Sequence, residues 1–158
     1  MATSALPTPQ KALVNDRIRV ERATAALPQT ASAALFTVSG GHILIHQIIG
    51  FVTTIVGAVA NATKLKVNPA GAGATTDICA TVEWNAAAVN SIFTITGTFA
   101  NAMVKTINLP IAGVQATPII CPPGTIELDC AGSDGGTGRV KWEIVYWPLE
   151  DGATVDVA

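Results

Sequence analysis

Charged and aromatic side chains are scarce in this sequence. Only 13% of its 158 residues are Asp, Glu, Lys or Arg and 5% are aromatic, while 49% are hydrophobic. A typical soluble domain carries about twice that share of charge, roughly 25%. High apolar content with so little charge excludes disorder for most of the chain. Nine basic against eleven acidic residues leave a net charge of −2, which argues against a freely cationic nucleic-acid binder. The length suits one domain that buries about two-thirds of its surface. With so few charges, much of the remaining surface is expected to face other protein.

Cysteine is sparse too. Cys79, Cys121 and Cys130 are an odd number and include no CxxC pair, so neither full pairing nor a metal or redox site is expected. Each sits among apolar neighbours, which points to buried thiols in a reducing compartment. No basic region followed by an apolar one precedes residue 35, so no secretory leader is expected. Residues 43–60 have the length of a membrane span. They also contain His46, Gln47, Thr53 and Thr54 with Gly50 and Gly57, and their many β-branched residues suit buried strands better than a lipid-facing helix.

Signatures of chemistry are missing as well. No G-x-S-x-G elbow occurs. His42 and His46 stand four apart, but no Glu follows His42 and no third ligand is near, so they read as ordinary strand histidines. Glycines 71 and 73 complete no dinucleotide fingerprint. Residues 133–138 (SDGGTG) hold one carboxylate where a calcium loop needs several. Glu127, Asp129 and Glu143 read as solvent-face charges that fix register, and Asn61-Ala62-Thr63 is a glycosylation sequon by pattern alone. Of the tryptophans, Trp84 and Trp142 read as core, and Trp147, beside Pro148, as the one exposed. No catalytic residue, metal or cofactor is expected.

What is present is β patterning. Residues 17–22 (RIRVER) alternate with period two, and Pro28 ends that stretch. Strands are expected at 35–38, with a turn at Gly40-Gly41, and at 42–54 with a kink at Gly50. Further strands are expected at 63–67, 78–84, 92–99, 104–109 and 116–121. The clearest element is a final hairpin. Residues 126–130 and 139–146 alternate, and would set Glu127 and Asp129 across from Arg139 and Lys141. The fold class is all-β, a sandwich or barrel of jelly-roll type.

The charge is unevenly placed. Residues 1–34 hold Lys11, Arg17, Arg19 and Arg22 against Asp16 and Glu21, a balance of +2. Residues 35–158 hold five bases and nine acids, a balance of −4. The chain therefore divides into an extended arm, 1–34, and a β domain, 35–158. The arm is expected to dock on an acidic neighbour through Lys11, Arg17, Ile18, Arg19, Val20 and Arg22, adding as a strand to a neighbouring sheet.

Four stretches carry a family resemblance: RATAALPQT at 22–30, ALFTVSGGHILI at 34–45, TTDICA at 75–80 and GRVKWEIVYWPL at 138–149. Together they resemble a recurring group of small virion proteins of tailed bacteriophages, over nearly the whole chain from Arg22 on. The resemblance implies a capsid decoration (cement) protein, compact, β-rich and often trimeric, with an arm that grips the major capsid protein. It implies a place on the capsid surface after folding in the host cytoplasm, with no nucleic-acid or membrane partner. The alternatives are a tail or head-tail subunit, or a carbohydrate-binding module on the virion.

Overall fold

The computed structural model describes residues 17–107 and 112–158. Their strands are β1 (Ile18–Ala26), β2 (Ala31–Ser39), β3 (Ile43–Thr54), β4 (Ala62–Pro69), β5 (Thr76–Asp77), β6 (Val82–Glu83), β7 (Ile92–Thr94), β8 (Val104–Thr106), β9 (Ile119–Cys121), β10 (Gly124–Cys130), β11 (Arg139–Pro148) and β12 (Thr154–Val157). One sheet has the order β1-β11-β3-β7-β8, with β9 also on β3. The other has the order β12-β2-β10-β4-β5, with β6 also on β4. All these pairings are antiparallel. The two sheets pack face to face and stay open at their margins, a sandwich and not a closed barrel. Strands β1 to β4 enter the two sheets alternately, and the facing orders β1-β11-β3-β7 and β2-β10-β4-β5 are those of a jelly roll.

Alternation builds the core. In β10, Ile126, Leu128 and Cys130 turn inward while Glu127 and Asp129 turn out; in β11, Val140, Trp142, Ile144 and Tyr146 turn inward. They meet Phe36, Ile43, Ile45, Ile48 and Leu65, all fully buried, each contributing about 1.5–3 kcal/mol of hydrophobic free energy. Trp84 stacks on Phe93 at 3.7 Å between ring centroids and on Trp142 at 6.0 Å. Few aromatics thus suffice, because three of them share one site.

The final hairpin does not form. Strands β10 and β11 belong to opposite sheets, and residues 131–138 cross between them. Glu127 lies opposite Lys66 and Asp129 opposite Lys64 on β4, while Lys141 lies opposite Phe51 on β3. Alternation shows which face a residue takes but not which strand lies beside it.

The kink expected at Gly50 is absent too. Register runs unbroken from Ile49 through Phe51, and the shifts fall instead at His46, where Val145 pairs with Gln47 and Tyr146 with Ile45, and at Thr53, where Val140 pairs with Val52 and Arg139 with Thr54. Residues 78–84 and 92–99 are less regular than their β-branched content suggests, with strand only at β6 and β7. Trp84, Ile78 and Ile95 are nevertheless buried, so these side chains fill core from irregular backbone.

The division at residue 34 also moves. Residues 18–26 are strand β1 of the body's own sheet, paired with β11 from Ile18–Tyr146 to Ala26–Arg139, and the boundary falls inside β2. The open margin of β11 accepts this alternating segment from its own chain, so no separate extended arm exists among the described residues.

Candidate binding surface

Four of the six arm residues singled out by sequence lie on β1, at the margin of its sheet, with Arg17 just ahead of them. Lys11 lies outside the described residues. Arg17 sits over the ring of Trp147 at 5.7 Å, a cation–π geometry. Ile18 is 39% exposed, and Val20 packs against the core. Arg19 donates to Glu143 from Nε at 2.9 Å and from Nη2 at 2.5 Å, and to Glu21 at 2.9 Å. The Nε of Arg22 is buried without an acceptor. Sequence reasoning thus found the strand, but it placed the strand away from the body.

Each sheet wears a charge ladder on its outer face. On the first, Glu143 and Glu21 stand directly opposite one another. Arg19 and Lys141 neutralise them, with Lys141 2.8 Å from Glu21 and 3.4 Å from Glu143. The hydrogen bond from Arg19 holds the Glu143 carboxyl below its ordinary value. On the second face, Lys64 reaches Asp77 at 2.7 Å, and Lys66 lies 3.7 Å from Glu127 and 3.5 Å from Asp129. Asp129 is held low chiefly by the Ser32 hydroxyl, which donates to it at 2.5 Å, and then by Lys66. Sequence reasoning assigned these acids to outer faces correctly and their partners wrongly.

Trp147 sits in the middle of a stack that no sequence spacing announced. His46 from β3 lies against it at 5.7 Å and 18°, and Arg17 lies on it from the β1 side. Trp84 and Trp142 are buried. His42 sits at the turn before β3 and pairs with Glu150 through Nδ1. Residues 133–138, which hold too few carboxylates for a calcium loop, form a structural connection between the sheets. Asp134, 3% exposed, accepts hydrogen bonds from the Gly136 and Gly138 amides and from Gln29 Nε2. Asn61, of the sequon, is buried and accepts from the Gly132 amide.

Among the described residues two shallow depressions stand out on the surface. One, of about 370 Å³, is lined by Phe51, Thr53, Val89, Asn90 and Ile92. The other, of about 180 Å³, lies between the sheets' edges at Pro69, Ile78, Phe99, Ile120 and Pro122. Among the described residues no group of three or more His, Cys, Asp or Glu is placed to hold a metal ion, and no helix is long and apolar enough to cross a membrane. All three cysteines are buried and free. Burial pushes the Cys121 thiol up to about 12 and raises Cys79 and Cys130 as well.

The fold and surface define an antiparallel β-sandwich with an exposed, charge-laddered strand at one margin. No family model, no curated protein and no solved structure matches the chain.

Proposed function

We propose that this chain is a structural virion protein of a tailed bacteriophage, a capsid decoration (cement) protein that binds the outer surface of the major capsid shell and stabilises it. The observation that carries the reading is β1: a strand at the sheet margin, exposed over most of its length, with Arg17, Arg19 and Arg22 at or beside it. Such a margin has unpaired backbone donors and acceptors, and it can accept a strand of a neighbour. The resemblance at 22–30, 34–45, 75–80 and 138–149 supports the same reading. So, by fold-level analogy alone, does the jelly-roll order, which is common in viral capsid domains.

On this reading the protein works by contact and not by catalysis, without cofactor, as a homotrimer at the three-fold positions of the shell. Arg17, Ile18, Arg19, Val20 and Arg22, together with Lys11, form the contact set. The test is binding of purified protein to shells that lack it. Removing residues 1–16, or Arg17→Glu, should lower occupancy and salt resistance while the sandwich still folds; Ile18→Asp should disturb β1 itself. Unchanged occupancy in all three would remove this margin as the anchor. Finding the protein on the tail by cryo-microscopy of intact particles would overturn the decoration reading.

A further inference from the structure

Among the described residues strand β1 has one neighbour, β11, and no strand pairs with its other margin. Its regular stretch is short. Pairing with β11 runs without interruption from Ile18 to Arg22, and then register shifts between Arg22 and Ala25. A bulge of this kind ends flat pairing and twists the strand away. The five regular residues, Ile-Arg-Val-Glu-Arg, are centred on Val20. Val20 faces the core, so Ile18 and Arg22 share its side, while Arg19 and Glu21 face outward into the charge ladder.

This stretch is complementary to itself when reversed. In an antiparallel pair centred on Val20, Arg19 stands opposite Glu21 of the second copy, and Glu21 opposite its Arg19. Opposite charges facing across an antiparallel pair stabilise it, and like charges destabilise it. Within one chain Glu21 faces Glu143, acid against acid, and is relieved by Arg19 on the same strand and by the diagonal Lys141. An arginine on the open side supplies the direct cross-strand cation that β11 does not. On the inner side Ile18 meets the aliphatic stem of Arg22, which covers a large apolar side chain that is 39% exposed in the single chain. Charges at a sheet margin often serve to prevent edge pairing. Charges of one sign do that best, whereas alternating signs at this spacing invite an antiparallel copy.

We infer that the β1 margin is a two-fold contact between copies of this chain, joining two sandwiches edge to edge through Ile18–Arg22. The inference rests on this strand alone and holds whether or not the protein decorates a shell. A copy and the shell compete for this margin: where a copy occupies it, Ile18, Arg19, Val20 and Arg22 are withdrawn from the shell, and Arg17 lies outside the paired stretch. A trimer is compatible with this contact only when it pairs with a second trimer.

The experiment uses the purified full-length chain without shells, so it is independent of the virion reading. Light scattering across micromolar concentrations should give two or six chains, with dissociation favoured by high salt. Glu21→Arg and Arg19→Glu should each weaken the association by about tenfold or more. The double exchange Arg19→Glu with Glu21→Arg restores the facing pairs and should restore the mass. Val20→Cys, on the two-fold axis, should give a disulfide-linked dimer on mild oxidation that the wild type does not give. Monomers or trimers alone, a mass indifferent to both reversals, or no cross-linked Val20→Cys dimer would overturn the contact.

Discussion

The indole of Trp142 lies directly over the Cα of Gly50. A Cβ built on Gly50 would stand 3.0 Å from two of the ring carbons. Gly50 and Trp142 are register partners on β3 and β11, so the glycine is a seat for the ring at the centre of the sandwich. Gly50→Ala should therefore destabilise the fold by about 1–3 kcal/mol, the usual cost of overpacking a core. A thermal or urea melt equal to that of the wild type would show that the ring moves aside freely.

Asp134 organises the crossing between the sheets. It is buried, and Gly136, Gly138 and Gln29 all donate to it. Asp134→Ala leaves those donors without their acceptor and should cost about 1–3 kcal/mol. Amide exchange should rise at Gly136 and Gly138 first. Equal protection there in wild type and variant would place the anchor elsewhere.

Glu143 and Asp129 make stability pH-dependent in a defined direction. Their carboxyls are held below 4.5 and 3.8, Glu143 by the Arg19 hydrogen bond and Asp129 by the Ser32 hydroxyl. The unfolded chain therefore binds protons more readily than the folded one. The stabilisation is complete above the ordinary carboxylate range and is lost as pH falls through the depressed folded values. Glu143→Gln should cost under about 1 kcal/mol near neutrality, as partly exposed pairs do, and should flatten the acid limb of a stability-against-pH curve. An unchanged acid limb would show that the Arg19 pair contributes nothing.

The thiols should resist labelling. With Cys121 pushed up to about 12 by burial and the other two raised as well, little thiolate exists at mildly alkaline pH. Modification by a thiol reagent should proceed only through unfolding and accelerate with denaturant. Rapid native-state labelling of any of the three would contradict the burial.

Much of the fold was legible because alternation is a local property. Val140, Trp142, Ile144 and Tyr146 declare an inward face, and Arg19 and Glu21 an outward one, without knowledge of partners. What stayed hidden was which strand lies beside which. Glu127 could be placed on a surface from its neighbours in sequence, but Lys66, opposite it in β4, lies 61 positions away. The Arg17–Trp147–His46 stack joins β11, β3 and the residue ahead of β1 for the same reason, and its sequence carried no signal. Irregular core segments such as the one bearing Trp84 defeat period-two reasoning altogether, since the burial of their side chains does not follow strand geometry. The strand that carries the proposed contact set was partly legible: its basic residues and alternation identified it, but not that β11 of its own chain would take it up.

The position of β11 between β1 and β3 also sets a timetable for folding. Ile18 pairs with Tyr146, so β1 cannot join its sheet until β11 has left the ribosome; β3 meets β7 and β9 earlier, but its β11 side stays open until the same moment. During synthesis β1 and β3 emerge long before their common neighbour, and folding must then pair segments far apart in the chain, 128 positions for Ile18 and Tyr146. Chains dominated by such distant pairings fold in milliseconds to seconds and not microseconds. For most of its synthesis the nascent chain keeps β1 and the β11 side of β3 without their neighbour, which makes that interval the period of greatest exposure to aggregation.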